Sequence, residues 1–312
     1  MKPSIVVVGS TNTDMVVKTT RLPAPGETIL GGNFLMNAGG KGANQAVAAA
    51  RLGGAVTFVA KTGKDIFGKN ALQLFATEGI DTQYIREDEN HPSGVALITV
   101  DERGENCIVV ASGANAQLFA ADVADAAPAL QTTSLLLMQL EVPLDAVVYA
   151  AQEASAHGVR TILNPAPACP LPDDLWQHIA ILTPNEKEAE LLSGVSIAGK
   201  ESAARAAAVL RQKGVGVVIV TLGAEGALIC DKDGETLVPA PKVTAVDTTA
   251  AGDVFNGALA VALSEGKAMK DAVAFAVQAA SISVTRMGAQ ASAPYRQEVE
   301  ATMAEQKTTM PS

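Results

Sequence analysis

An acidic residue just behind a run of small residues is the feature of this chain best suited to chemistry. The run is Asp247-Thr-Thr-Ala-Ala-Gly-Asp253, and an apolar stretch with helical periodicity follows it. Small residues let backbone N–H groups converge on one point, and a helix N-terminus adds positive potential there. Such a pocket suits a phosphate that is gathering negative charge, with Asp253 as the base for an attacking hydroxyl. These residues indicate phosphoryl transfer to an alcohol, although an isolated Gly-Asp pair is more often an ordinary helix start.

A second glycine-rich segment, Ala38-Gly-Gly-Lys-Gly-Ala-Asn44, opens a predicted helix that ends before Gly53-Gly54. Closely spaced glycines allow the backbone to lie directly against a ligand, and Asn44 can both donate to and accept from a diol. A tight strand-to-helix turn that requires glycine would explain the same sequence. The segment alone therefore does not distinguish a ligand-binding loop from a tight turn, and the other motifs of the chain are needed.

Together these two segments resemble the paired signatures of the PfkB superfamily of ribokinase-like carbohydrate kinases. The resemblance runs from Val7-Val-Gly-Ser-Thr-Asn-Thr-Asp14 to Thr285-Arg-Met-Gly-Ala-Gln-Ala-Ser292, which is nearly the whole chain. Further matches lie between them in order: Pro25-Gly-Glu-Thr28, Ser93-Gly-Val-Ala96, Leu137-Met-Gln-Leu-Glu141, Leu163-Asn-Pro-Ala-Pro167, Thr183-Pro-Asn-Glu186 and Thr221-Leu-Gly223. One such segment is weak evidence, but this many in order is strong.

The resemblance implies an ATP-dependent kinase that phosphorylates the 5-hydroxyl of D-ribose. Asp253 would be the catalytic base, and the backbone N–H groups of Ala250, Ala251, Gly252 and Asp253 would hold the developing charge. Polar residues that follow predicted strands lie at the carboxyl ends of the sheet, where open α/β folds bind ligands. The resemblance places the sugar on such residues and on the glycine-rich loop: Asn12, Thr13, Asp14, Gly40, Lys41, Gly42, Ala43, Asn44, Glu141 and Asp253.

The resemblance also implies residues that bind the nucleotide and metal ions, in the matching segments or close to them. The nucleotide residues are Asn185, Thr221, Leu222, Gly223, Ala224, Glu225, Gly226, Gly252 and Val277. Glu188, with Asn185, would order Mg²⁺ through water, which suits the preference of this ion for few carboxylates; a simple helix cap is the alternative. The implied K⁺ site consists of Asp247, Thr249, Ser283, Arg286 through its carbonyl group, Gly288 and Ser292, and a plain helix C-terminus would also explain that turn.

Rival functions remain open from the sequence. The nearest are other kinases of the same superfamily, namely a deoxyribokinase, a fructokinase or a nucleoside kinase, because pocket size cannot be read from these motifs. A non-catalytic regulator that binds sugar or nucleotide is a rival of a different class. Gly63-Lys-Asp-Ile-Phe-Gly-Lys-Asn70 approaches a Walker A loop, but Asn stands where Ser or Thr would hold Mg²⁺.

The composition of the chain excludes some classes of binding partner and location. The chain has 312 residues, 48% of them hydrophobic, and a formal net charge of −10. This hydrophobic content supports a sizeable core, whereas the charge argues against nucleic acid and anionic membrane surfaces as partners. No apolar run approaches the ~18 residues of a membrane span. Because Cys107, Cys169 and Cys230 lack metal-ligand spacing, we expect reduced thiols and a cytoplasmic protein.

Apolar β-branched runs alternate with alanine-rich helical stretches along most of the chain. This pattern predicts a doubly wound α/β fold, with a mostly parallel sheet flanked by helices, as a single domain over residues 1–312. The predicted strands are 4–8, 56–60, 134–140, 160–163, 179–183, 215–221 and 227–230. The predicted helices are 42–52, 68–78, 144–156, 185–192, 202–213, 252–264 and 269–285.

Two intervals, about 15–37 and 93–112, break the alternation. They predict two hairpin-like strand pairs, 15–22 with 28–36 and 94–100 with 106–112, in a small sheet that no helix covers. The resemblance implies that this sheet is a lid over the sugar and that the lids of two subunits cover each other in a homodimer. Residues 305–312 are expected to be a disordered tail.

Overall fold

Apolar, β-branched segments form a nine-stranded sheet in the computed structural model, which describes residues 4–309. The strands of both sheets, numbered in chain order, are β1 Ser4–Val8, β2 Asn12–Lys18, β3 Phe34–Gly39, β4 Ala55–Gly63, β5 Ile85–Asp88, β6 Gly94–Val100, β7 Asn106–Ala111, β8 Leu135–Met138, β9 Arg160–Leu163, β10 Ile181–Leu182, β11 Val217–Thr221, β12 Ala227–Asp231 and β13 Gly234–Val238. The large sheet has the order β13-β12-β11-β10-β9-β8-β1-β4-β5. Its neighbours are parallel, except that β12 runs antiparallel to β11 and β13.

Helices cover both faces of this sheet. They are α1 Lys41–Arg51, α2 Ile66–Thr77, α3 Ala120–Ala124, α4 Ala127–Thr132, α5 Leu144–Ala156, α6 Glu186–Ser193, α7 Lys200–Gln212, α8 Ala251–Ser264, α9 Met269–Ser283 and α10 Arg296–Thr309. Strand β1 shows the arrangement, because Ile5 and Val7 join a core with α1, α8 and α9, whereas Val6 and Val8 join one with α5, α6 and α7. Apolar residues on both faces are typical of a covered parallel sheet, and the predicted doubly wound α/β fold is confirmed.

Several elements differ from the prediction at the edges of the sheet. Strands β5 and β13 were not predicted, because Ile85–Asp88 and Gly234–Val238 are largely polar segments at the two outer edges. The predicted strand 179–183 shrinks to Ile181–Leu182. Helices α3, α4 and α10 were also missed. Helix α10 runs to Thr309 and contains no glycine or proline, so the expected disorder of residues 305–309 is wrong; residues 310–312 lie outside the described part.

The small sheet has the order β3-β2-β6-β7. Strands β2 and β3 are antiparallel, β2 and β6 are parallel, and β6 and β7 form the predicted antiparallel pair. The predicted pairing of 15–22 with 28–36 is wrong in its bounds, because residues 19–33 form a connection between β2 and β3. Pro23 and Pro25 lie in that connection, and proline cannot donate to a strand ladder.

Among residues 4–309, no helix is both long enough and apolar enough to cross a membrane.

Candidate active site

The N-terminus of α8 carries the acidic residue that the sequence singled out. Ala250 precedes the helix with a φ of 60°, a left-handed conformation that is uncommon for a residue with a Cβ atom. Asp253 lies in the first turn and is 5% exposed. The N–H of Ala251 donates to the carbonyl of Thr248 at 3.3 Å. A helix N-terminus with this strained entry presents backbone donors beside a buried carboxylate.

A close approach of α1 to α8 brings two amide side chains to Asp253. A Cβ atom at Gly257 would lie 2.7 Å from the carbonyl oxygen of Gln45, so glycine is required at this crossing. Asn44 Nδ2 donates to Asp253 Oδ2 at 2.9 Å, and Gln45 Nε2 donates to Asp253 Oδ1 at 2.9 Å. Each oxygen of the carboxylate therefore accepts a hydrogen bond from a neutral amide.

Polar side chains behind Asp253 extend this arrangement, and no role was predicted for them from the sequence. Gln45 Nε2 also donates to Asn164 Oδ1 at 3.1 Å, and Gln139 Nε2 donates to Gln45 Oε1 at 2.6 Å. Asn164 Nδ2 in turn donates to the carbonyl of Thr183 at 3.1 Å. Gln139 and Asn164 stand in two of the matching segments, directly after strands β8 and β9, and that position was the available signal. We call Asn44, Gln45, Gln139 and Asn164 the amide network.

Burial and charge set the protonation of the groups at this site. Burial raises the pKa of Asp253, while Lys41 and the amides of Asn44 and Gln45 oppose that rise. Burial alone would lower the pKa of Lys41, but the carboxylates of Asp253 and Glu141 outweigh it and hold that pKa above its ordinary value. Lys41 thus stays positively charged next to a carboxylate of raised basicity.

The residues predicted to bind the sugar lie on β2 and at the start of α1. Asn12 Oδ1 accepts a hydrogen bond from Asn115 Nδ2 at 2.8 Å. Asp14 points toward Gly39, where a Cβ atom would lie 2.3 Å from the Asp14 carboxylate. Burial, with smaller contributions from Glu141 and Asp253, raises the pKa of Asp14 to about 6. The oxygen Asn44 Oδ1 is buried and has no hydrogen-bond partner among the described residues, as expected of a group that awaits a ligand.

Glu141, three residues after the end of β8, has structural partners. Its Oε2 accepts hydrogen bonds from Ser10 Oγ at 2.5 Å and from the backbone N–H of Lys41 at 2.9 Å. The second bond caps the N-terminus of α1 and fixes the glycine-rich loop against β8. In this loop Gly40 has a φ of 88°, and a Cβ atom at Gly42 would lie 2.6 Å from Ser10 N. These glycines are therefore required for the loop to pack against β1.

Two cavities border the predicted sugar and nucleotide residues. A cavity of about 170 Å³ has a lining that includes Lys41, Asn185, Glu188, Thr221, Ala250, Ala251, Gly252 and Asp253. A second cavity, of about 360 Å³, has a lining that includes Asn12, Val110, Asn115 and Glu141. Asp253 and Lys41 belong to the first cavity, and Glu141, which bonds the Lys41 backbone, belongs to the second.

Several residues predicted to bind the nucleotide also have roles in the fold. Asn185 and Glu188 form a reciprocal helix cap at α6, with Glu188 N donating to Asn185 Oδ1 at 2.9 Å and Asn185 N donating to Glu188 Oε2 at 2.9 Å. Both side chains also border the 170 Å³ cavity. Thr221 ends β11, and the turn over Leu222, Gly223, Ala224, Glu225 and Gly226 leads into β12. Val277 on α9 is 5% exposed and packs in the apolar core.

The predicted cation segments meet through Asp247. Its Oδ1 accepts from the N–H of Thr249, and its Oδ2 accepts from the N–H of Gly288, each at 2.9 Å. These bonds join the loop before α8 to the turn after α9. The hydroxyls of Ser283 and Ser292 donate to carbonyl groups of their own turns, and Arg286 pairs with Glu298. Within residues 4–309, no group of three or more His, Cys, Asp or Glu residues could hold a metal ion.

Comparison with known proteins gives consistent matches. Residues 2–296 match the family model described as pfkB family carbohydrate kinase. A ribokinase of Haemophilus influenzae is 47% identical over 96% of this chain and 97% of its own length. A deoxyribokinase of Salmonella typhi is 39% identical over 93% of this chain and 95% of its own.

Solved structures are similar as well. The structure of Arabidopsis thaliana ribokinase complexed with ribose and ATP has a TM-score of 0.92 and 35% identity, and the match covers 96% of this chain and 98% of that one. The ribokinase of Thermotoga maritima has a TM-score of 0.89 and 40% identity, over 97% of this chain and 99% of that one.

Proposed function

Because the chain belongs to the pfkB family of carbohydrate kinases, we propose that it catalyses the ATP-dependent phosphorylation of D-ribose at the 5-hydroxyl. The observation that carries this proposal is the buried Asp253 carboxylate at the N-terminus of α8, beside Lys41 and a cavity. The relatives named for ribose phosphorylation match over nearly their full length, and one of them is described with both ribose and ATP bound.

The reaction would proceed between the two cavities. Asp253 accepts the proton of the 5-hydroxyl as that oxygen bonds to the γ-phosphorus and the bond to the leaving ADP breaks. The backbone N–H groups of Ala250, Ala251, Gly252 and Asp253 would hold the charge that develops on the transferred group, and that of Ala251 would give up its long bond to the Thr248 carbonyl to do so. Lys41, which borders the same cavity, adds a fixed positive charge. Because such transition states are loose, positioning and charge stabilisation contribute more than the strength of the base.

The sugar would lie between β2 and the start of α1. Asp14 accepts hydrogen bonds from its hydroxyls, the amide of Asn12 donates to them, and the free Oδ1 of Asn44 accepts another. That buried oxygen supports the assignment, because an unpaired buried acceptor costs free energy until a ligand donates to it. Thr13, Gly40, Lys41, Gly42, Ala43 and Glu141 complete the proposed sugar site.

The residues around the 170 Å³ cavity fit Mg²⁺ held with the nucleotide. Glu188 borders this cavity, and burial raises its pKa, so a cation there would favour its charged form. Mg²⁺ prefers few carboxylate contacts and keeps several waters, as a single glutamate would allow. When bound with ATP, this ion neutralises charge on the phosphates. Asn185, Thr221, the turn 222–226, Gly252 and Val277 form the proposed nucleotide site.

A monovalent cation, K⁺, is proposed beside the loop that precedes α8. Asp247 ties Thr249 to Gly288 through its two oxygens, so the backbone of both segments is held close together. Ser283, Arg286 through its carbonyl group, and Ser292 supply further oxygen atoms. A cation there would order residues 247–253, which include the donors that face the transferred phosphoryl group.

The small sheet would act as a lid, over about residues 15–37 and 93–112 of a single domain, and as a dimer contact. Its exposed apolar residues are Phe34, Leu35, Met36, Leu97, Ile108, Val109 and Val110. Apolar patches of this kind mark contact surfaces in soluble proteins, and we infer that a second copy of the chain covers them. A cytoplasmic location fits the three free cysteines, of which Cys107 is exposed.

A coupled ADP-release assay with matched concentrations of ribose, 2-deoxyribose, fructose and adenosine tests the proposal. We expect the highest kcat/KM with ribose. A preference for 2-deoxyribose would favour the second candidate, which the 39% identity to a deoxyribokinase supports. Binding of ribose without ADP release would indicate a non-catalytic regulator and overturn the proposal.

A further inference from the structure

Gln45 is a fully buried glutamine, and both the nitrogen and the oxygen of its amide form hydrogen bonds. Its Nε2 donates to Asp253 Oδ1 at 2.9 Å and to Asn164 Oδ1 at 3.1 Å, and its Oε1 accepts from Gln139 Nε2 at 2.6 Å. No atom of this amide is left for a substrate. Its three bonds go to protein groups, and one of them reaches the carboxylate that would take the proton.

The orientation of the Gln45 amide is determined from two directions. A carboxylate accepts but does not donate when ionised, so the NH₂ group must face Asp253. Asn164 Nδ2 is occupied by the carbonyl of Thr183, which leaves Asn164 Oδ1 to accept from the same NH₂ group. The remaining oxygen of Gln45 then has to meet a donor, and Gln139 Nε2 supplies it. A flipped amide would lose its bonds to Asp253 and Asn164 and place its oxygen against Asp253 Oδ1 and Asn164 Oδ1.

Two glycines allow this arrangement. A Cβ atom at Gly9 would lie 2.1 Å from Gln139 Oε1, so any side chain there would displace Gln139. A Cβ atom at Gly257 would lie 2.7 Å from the Gln45 carbonyl oxygen and would push α8 away from α1. The backbone thus leaves space for Gln139 and Gln45 to reach Asp253.

From this geometry we propose that Gln45 is a positioning residue that holds the Asp253 carboxylate in the orientation needed to accept the hydroxyl proton, and that Gln139 fixes Gln45 in turn. The inference rests on the proposed function, because it concerns the base of that reaction. A neutral amide suits this role, because it holds one carboxylate oxygen without adding a charge. Asn44 holds the other oxygen from the substrate side.

Several charged groups also act on Asp253, and the test must separate them from Gln45. They are Lys41 of α1, Asp14 of β2, Glu141 after β8 and Glu188 of α6. None of them is altered by Gln45→Met, which keeps the length of the side chain and removes its hydrogen bonds. Loss of a donor to the ionised form should raise the pKa of Asp253.

For Gln45→Met we expect kcat to fall about tenfold and the acidic limb of its pH profile to move up by roughly one unit, as for one lost hydrogen bond to a charged group. KM for ribose and for ATP should stay within about twofold, because Gln45 touches neither substrate. Gln139→Met should move the acidic limb of the kcat profile in the same direction, but by less than Gln45→Met does. The control is Thr161→Val near the start of β9, whose hydroxyl donates to the carbonyl of His178 and accepts from the N–H of Ala180. This variant loses two partly buried hydrogen bonds that do not involve the amide network, and it should leave the profile unmoved.

A second measurement does not depend on activity. The loss of unfolding free energy caused by Gln45→Met should grow as pH rises above the wild-type pKa of Asp253, since ionising that group costs more in the variant. In an Asp253→Asn background the loss should be the same at every pH. An active protein whose kcat profile is unmoved, or a loss of stability that is independent of pH, overturns the positioning role. If the wild type leaves ribose unphosphorylated while the pH-dependent loss persists, the proposed function fails and the contact to Asp253 stands.

Discussion

The amide network and the small sheet differ in what surrounds their side chains. Around Asp253, buried polar groups bond to one another within one chain, and each oxygen of the carboxylate has its own donor. On the small sheet, Met36, Leu97 and Val109 lie in one row across β3, β6 and β7 and are 50%, 52% and 62% exposed. The first region makes its hydrogen bonds within one chain, although the buried oxygens Asn44 Oδ1 and Gln139 Oε1 have no partner among the described residues. The apolar row of the second region lacks a cover. Substitutions around Asp253 should therefore change turnover, whereas substitutions on the small sheet should change assembly.

The largest effect should follow a change at the centre of the network. Asp253→Asn keeps the shape of the side chain and removes the base, so we expect kcat to fall at least ~10²-fold, the usual contribution of general-base catalysis. Dissociation constants for ribose and ATP, measured by calorimetry, should change little. Near-wild-type turnover would remove Asp253 from the role of base.

A smaller but more selective effect is expected at Asp14, on strand β2 of the small sheet. Asp14→Ala should raise KM for ribose about tenfold or more, because sugar hydroxyls left unpaired cost ~1–3 kcal/mol. KM for ATP should change far less. Equal changes in both constants would indicate a folding defect instead of a lost sugar contact.

The raised pKa of Asp14 adds a pH dependence to the same position. Burial favours the neutral carboxyl group and raises its pKa to about 6, so its ionised form, the better acceptor, disappears as pH falls through that value. KM for ribose should rise below about pH 6 in the wild type. Asp14→Asn cannot titrate there, and its KM should lack this limb; the same limb in the variant would assign the titration to another group.

Replacing Na⁺ by K⁺ at constant ionic strength should give a moderate effect. Asp247 connects the loop before α8 to the turn at Gly288, and a cation that orders this loop should raise activity. Effector couplings are typically worth ~1–3 kcal/mol, so stimulation of roughly fivefold or more is expected. Activity that is indifferent to the exchange would defeat the cation proposal.

The smallest effect on turnover is expected on the small sheet, where assembly should change instead. Ile108→Asp combined with Val109→Asp places one charge on each face of β7 and should convert a dimer into a monomer in light scattering. Gln73→Asp, at an exposed position of α2, is the control and should leave the dimer intact. A wild-type protein that is a stable, fully active monomer would remove the dimer proposal.

Sequence patterns correctly predicted the elements whose own residues suit the position that the element takes in the fold. Strand β1 is apolar on both faces and was found with its bounds, whereas β13, a polar edge strand, lacks that pattern. The small sheet was recognised, but its first pairing was misplaced because 15 residues with two prolines separate β2 from β3. Asp253 and Asn44 stood in motifs, while Gln45 looked like one more helix residue. Its role depends on how closely α1 approaches α8 at Gly257, and periodicity does not encode that distance.

The identity of the product tests the central claim most directly. After incubation of the wild-type protein with ribose, ATP, Mg²⁺ and K⁺, phosphorus–proton correlation NMR reports which carbon carries the new phosphate. We predict a phosphorus signal coupled to the C5 methylene protons of ribose, with ADP formed in equal amount. A phosphate coupled to the anomeric proton, or ATP consumed while ribose stays unmodified, would contradict the claim.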